Sequence, residues 1–203
     1  MTNEPVVFVV DDDDAVRRFL TGLIESIDLQ VTACSSAQEF LDIYEPGCTG
    51  CLLLDVRMPG MSGLELQREL VERSIDLPVI VLTGHGNVPV AVHAMKAGAL
   101  DFVEKPFDNE LLLDRIQKAV AQSIRADDDR VERDEILKRL NSLTPRERQV
   151  FDLVVAGGVN KAIAHELAIS EKTVEIHRAN VMRKMRATSL ASLVLMSVTA
   201  QDN

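Results

Sequence analysis

Up to about residue 122 the chain repeats one pattern: a short apolar run, then a stretch in which apolar residues return every three or four positions. The apolar runs lie near 6–10, 30–34, 51–54, 78–82 and 100–103 and predict five strands, each followed by a helix. Strands that alternate with helices predict a parallel sheet covered on both faces. Two runs, Val6 to Val10 and Val79 to Leu82, contain no polar residue, as expected of strands buried on both sides. In the first helical stretch Val16, Phe19, Leu20, Leu23 and Ile27 fall on one face, which is expected to pack on the sheet. Residues 1–122 therefore predict an α/β domain, a doubly wound five-stranded parallel sheet.

The pattern then changes. Residues 123–141 are dense in both charge signs, with Asp127, Asp128 and Asp129 in a row, and predict a helical linker. Residues 142–203 contain no strand-like run and predict a small all-α domain with helices near 145–156, 160–167, 171–186 and 189–200. Thr144-Pro145-Arg146-Glu147 combines an N-cap hydroxyl, a proline at the first helical position and a glutamate that can reach back to the cap. Gly157-Gly158 can end that helix, and Ser170 can cap the one beginning at Glu171.

A net charge of −10 would disfavour a nucleic-acid partner if it were evenly spread, but it is not. Residues 1–122 carry 9 Lys and Arg against 20 Asp and Glu, whereas residues 142–203 carry 8 against 6. No stretch approaches the roughly 18–20 apolar residues of a membrane span, and the N-terminus lacks a secretory pattern, so a cytoplasmic protein with no membrane partner is expected. The three cysteines, Cys34, Cys48 and Cys51, are expected to be reduced thiols.

Ligands of a doubly wound sheet bind beyond the carboxyl ends of the strands. Asp11 and Asp12 follow the first strand, Asp55 the third, Thr83 the fourth and Lys105 the fifth. Three carboxylates brought together there would repel one another unless a cation lay between them, and oxygen ligands suit Mg²⁺ or Mn²⁺. Asp55 could then attack phosphorus to give an aspartyl phosphate, with the Thr83 hydroxyl and the Lys105 ammonium donating to phosphoryl oxygens.

In the helical half, the segment 171–186 places Val174, His177, Val181 and Met185 on one face and Lys172, Glu175, Ile176, Ala179 and Arg183 on the other. It carries five basic residues (Lys172, Arg178, Arg183, Lys184 and Arg186) against two glutamates, a local charge suited to DNA phosphates.

The segments VVDDDDAVR, LLLDVRMPGMSG, VLTGHG and FVEKPF resemble the receiver domain of two-component response regulators, a flavodoxin-like fold, over about residues 5–122. LTPRERQVFDLVVAGGVNKAIAHELAISEKTVEIHRANVMRKM resembles the LuxR-type helix-turn-helix, and the two in series resemble the FixJ/NarL family. The resemblance implies a phosphorylation-dependent transcription regulator with Asp55 as phosphoacceptor. It implies Asp11, Asp12, Asp55 and the Arg57 carbonyl as metal ligands, Thr83 and Phe102 as switch residues, and a cis Lys105-Pro106 bond. It implies DNA contacts from Asn160, Lys161, Lys172, Thr173, Glu175, Ile176, Arg178 and Ala179. The partners it implies are a sensor histidine kinase, double-stranded promoter DNA, RNA polymerase and a second copy of the chain on phosphorylation. Turnover chemistry is not expected, only self-phosphorylation from a phosphodonor and slow autodephosphorylation.

Two rivals stand beside this reading. Asp11-x-Asp13 after an apolar strand also suits a haloacid-dehalogenase-like phosphatase with Asp11 as nucleophile, and the helical half could be a protein-interaction module. Cys48-x-x-Cys51 has a redox or metal spacing but no second pair, and His85 is expected to be a surface loop residue.

Overall fold

A computed structural model describes residues 4–84 and 88–201. The chain forms two compact units, Met1–Asp127 and Asp128–Asn203.

The first unit runs β1 (Val6–Val10), α1 (Asp14–Glu25), β2 (Gln30–Cys34), α2 (Ala37–Ile43), β3 (Gly50–Asp55), α3 (Gly63–Glu72), β4 (Val79–Thr83), α4 (Val88–Lys96), β5 (Asp101–Glu104) and the start of α5 (Asn109–Asn141). The strands pair in parallel in the order β2-β1-β3-β4-β5, so the order reverses at β1 and β3. Side chains alternate across a strand, and the two faces of the sheet bury separate cores. Phe8, Val10, Leu52, Leu54 and Val81 pack with Phe40 of α2 and Leu66 of α3. Val7, Val9, Leu53, Ile80 and Leu82 pack with Leu20 and Ile24 of α1 and Leu112 and Ile116 of α5.

The stripe expected on α1 is partly wrong. Ile27 lies beyond the helix end, Ile24 is fully buried instead, and Phe19 remains 49% exposed with its ring 6.3 Å from that of Phe107. Residues 123–141, expected to form a helical linker, are helical and continue α5, a single helix of 33 residues. Ser123 in that stretch is buried and accepts the Gly50 amide at 3.0 Å, while Ile136 and Leu140 join the core of the second unit.

The second unit adds α6 (Pro145–Val155), α7 (Asn160–Glu166), α8 (Glu171–Met185) and α9 (Leu190–Thr199). The helix starts form as the sequence predicts. Thr144 accepts the Glu147 amide while Glu147 reaches back to the Thr144 amide, and Ser170 accepts the Thr173 amide. Gly157, at φ +88°, closes α6. Among the described residues no helix is long and apolar enough to cross a membrane.

Glu147 is buried against Lys184 of α8, whose Nζ donates to its Oε2 at 2.6 Å and to the Ser142 carbonyl at 3.1 Å. The Lys184 hydrogen bond, and then that of the Thr144 amide, pull the Glu147 carboxyl down to a pKa of about 2. In the unfolded chain the group titrates near 4.3, so its contribution is present above that pH and is lost as pH falls toward about 2. Glu147→Gln is therefore expected to flatten the acid limb of helix melting in that window, measured by circular dichroism on the full chain. An unchanged acid limb would refute this role.

Candidate phosphoacceptor site and DNA interface

Four strand ends meet at the carboxyl edge of the sheet. The register pairs Val10 with Leu54, Asp55 with Leu82 and Thr83 with Glu104, so Asp11, Asp55, Thr83 and Lys105 stand at successive strand termini. Asp11, Asp55 and Thr83 are buried and Lys105 is half-buried. The Lys105 ammonium donates to Asp11 Oδ2 at 2.6 Å and to Asp55 Oδ1 at 2.7 Å. The Arg57 amide donates to Asp55 Oδ2 at 2.7 Å. The chain reaches this edge because the Lys105 amide donates to the Thr83 carbonyl at 2.7 Å, and Lys105-Pro106 is cis. Burial is the largest single influence on the Lys105 ammonium and favours its neutral form. The hydrogen bonds and charges of Asp11 and Asp55 outweigh it, so the pKa is raised above the ordinary lysine value. Both carboxylates thus face a permanent cation at neutral pH.

Asp12 behaves differently. It is exposed and is not gathered with Asp11 and Asp55; among the described residues no group of three or more His, Cys, Asp or Glu side chains is arranged around a metal position. Mg²⁺ needs only one or two carboxylates, the rest of its shell being water and phosphate oxygen. Two buried carboxylates that already share one cation fit that requirement. Asp13 caps α1 by accepting the Ala15 and Val16 amides, so it is not a second acid facing Asp11. Phe102 is half-buried on β5, its amide held by Asp101 at 2.7 Å and its carbonyl by Arg115 at 3.1 Å. His85 lies outside the described residues.

In α8, Val174, Val181 and Met185 are buried and His177 is half-buried. Lys172, Glu175, Ile176, Ala179 and Arg183 are exposed on the opposite side, as are Lys161 and, more partially, Asn160 on α7. Thr173 is half-buried beside the Ser170 cap, and Arg178 is half-buried with a long 3.4 Å hydrogen bond to the Gly158 carbonyl. The local charge expected of α8 overstates what DNA could meet, because Lys184 is already engaged by Glu147. Cys34 and Cys51 are buried, which pushes their thiols up to about 11 and about 12, and Cys48 is free as well.

Comparison with known proteins decides between the readings. Residues 7–117 match the response regulator receiver domain model, and residues 141–197 match the model of bacterial regulatory proteins of the luxR family. This chain belongs to the two-component response regulators with a LuxR-type DNA-binding domain. It is similar to the transcriptional regulatory protein FixJ of Azorhizobium caulinodans, 50% identical over 96% of this chain and 92% of that protein. It is also similar to the response regulator protein TodT of Pseudomonas putida, 46% identical over 98% of this chain and 87% of that protein. Among solved structures it resembles the response regulator StyR, with a TM-score of 0.88 and 44% identity over 96% of this chain and 98% of that one. It also resembles full-length FixJ from B. japonicum, with a TM-score of 0.59 and 43% identity over 98% of each chain. As a response regulator it is a two-component transcription regulator, and nothing in these relationships supports the phosphatase alternative.

Proposed function

We propose that Asp55 accepts a phosphoryl group from a phosphohistidine of a partner sensor kinase and that this controls promoter binding by the helical unit. The observation that carries the reading is the convergence of Asp55 and Asp11 on the Lys105 ammonium at the switch point of the sheet. In the transfer, the bond from an Asp55 oxygen to phosphorus forms as the donor's P–N bond breaks, and the imidazole leaves with a proton. Oδ1 is held by Lys105 and Oδ2 by the Arg57 amide, so attack through Oδ1 requires Lys105 to pass from that oxygen to the phosphoryl group. Asp11, Asp12, Asp55 and the Arg57 carbonyl would hold Mg²⁺ or Mn²⁺. When bound, the cation neutralises charge on the phosphoryl oxygens.

The Thr83 hydroxyl then donates to the phosphoryl group and Phe102 turns inward, which reshapes the face of α4 and β5 and lets a second copy pair with it. Two recognition helices then engage half-sites about one DNA turn apart, and the effective concentration within the dimer supplies the affinity. Asn160, Lys161, Lys172, Thr173 and Arg178 contact the phosphates, while Glu175, Ile176 and Ala179 meet base edges. RNA polymerase is the further partner, and its DNA target places the protein in the cytoplasm. No enzymatic turnover is expected beyond self-phosphorylation and slow autodephosphorylation.

Phosphodonor-dependent retention of duplex DNA tests the reading. Lys172→Ala is expected to weaken binding on all sequences alike and to lower the salt slope by about 1. Glu175→Gln is expected to change which sequences are preferred. Equal retention with and without phosphodonor would reject control by phosphorylation, and no retention in either state would favour a protein-interaction role for the helical unit.

A further inference from the structure

The Asp11 carbonyl lies just before the N-cap of α1, Asp13, so no amide of the helix pairs with it. Arg17, one turn into α1, folds back to supply the donor. Its Nη1 reaches the Asp11 carbonyl at 2.7 Å and its Nη2 reaches Asp14 Oδ1 at 3.2 Å. The Arg17 side chain is only 16% exposed, whereas Asp14 is 61% exposed, so the contact with the carbonyl is the sheltered one. The remaining polar atoms of Asp11 are held too. Its amide donates to the Cys34 carbonyl at 3.3 Å, Oδ1 accepts the Asp13 amide at 2.9 Å, and Oδ2 accepts Lys105. Asp12 is the contrast. Among the described residues its exposed carboxylate makes no hydrogen bond, so the peptides on either side of it set where it points.

We propose that Arg17 is a positioning residue for divalent-cation binding: its grip on the Asp11 carbonyl fixes the Asp11–Asp12 peptide, and with it where the exposed Asp12 carboxylate stands beside the two buried acids. This rests on the reading of the Asp11–Asp55 pocket as the Mg²⁺-dependent phosphoryl site. The sign of the effect separates positioning from charge. Arg17 is a cation close to the acids that would hold a metal, so electrostatics alone makes its removal tighten metal binding. Positioning makes its removal weaken metal binding, as loss of groups that orient ligands does by about 10–100-fold.

The test is a titration of the full chain with MnCl₂, reading free Mn²⁺ by electron paramagnetic resonance, with folding of each variant checked by circular dichroism. Arg17→Met keeps the apolar stem and is expected to weaken Mn²⁺ binding about tenfold or more. Arg17→Lys keeps the charge without the fork and is expected to fall between wild type and Arg17→Met; it carries the test alone if the methionine variant does not fold. Unchanged or tighter binding in the folded variants overturns the assignment of Arg17 while leaving the pocket standing. Failure of wild-type protein to bind Mn²⁺ takes down both.

Discussion

Lys105→Met is expected to tighten divalent-cation binding while slowing phosphoryl transfer to Asp55 by about 10²-fold or more. Both effects arise from one position. The ammonium bridges Asp11 Oδ2 and Asp55 Oδ1, two oxygens that a metal would also draw upon. Without it, two buried carboxylates face each other uncompensated, which costs on the order of 3 kcal/mol of stability in metal-free protein. A divalent cation relieves that repulsion, so Mg²⁺ should restore the melting temperature of the variant far more than that of wild type. The same loss removes a charge-assisted donor that moves onto the phosphoryl group as charge develops there. Thermal melts with and without MgCl₂, together with labelling rates from acetyl phosphate, measure the two halves separately. A variant that melts and labels as wild type does would show that Lys105 serves neither carboxylate.

Gly63→Ala is expected to be the most damaging of the small substitutions near the pocket. Gly63 opens α3, and a Cβ built there would stand 2.1 Å from the carbonyl oxygen of Asp55 and 3.0 Å from its carbonyl carbon. Both obstacles belong to the backbone, so no rotamer change relieves them. Either α3 or the end of β3 must move. The expected cost is about 3 kcal/mol, at the upper end for overpacking, with slower labelling because Asp55 itself is displaced. Gly22→Ala is the matching control. Gly22 lies inside α1, a Cβ there meets nothing within 4 Å, and the change should stabilise the protein by about 0.5–1 kcal/mol. Denaturant unfolding of both variants checks the opposite signs, and a Gly63→Ala protein as stable as wild type would contradict the contact between α3 and β3.

The strand ends were legible in the sequence because buried parallel strands read as continuous apolar runs, and the residues just after these runs must lie at one edge of the sheet. That is why Asp11, Asp55, Thr83 and Lys105 could be placed together from spacing alone. The length of α5 was not legible. Between Ser123 and Ile136 the helix carries charge on most of its faces, and without an apolar stripe a helix resembles a connector. Phe19 was misplaced because three- and four-residue spacing fixes the direction of the stripe and not its width, and this ring sits at the edge beside Phe107. Lys184 was counted in the local charge of α8 because nothing in its own helix reveals Glu147, 37 residues earlier in the chain, as its partner. Adjacency did not reveal that Asp11 and Asp12 differ in exposure, Asp11 being buried and Asp12 open to solvent.

Locating the phosphoryl group by mass spectrometry, after full-length protein is treated with acetyl phosphate and Mg²⁺, distinguishes Asp55 from every other acceptor. One phosphoryl group per chain is expected on Asp55, none in Asp55→Asn, and none when Mg²⁺ is chelated. Label on Asp11, or label that persists in Asp55→Asn, would contradict this expectation.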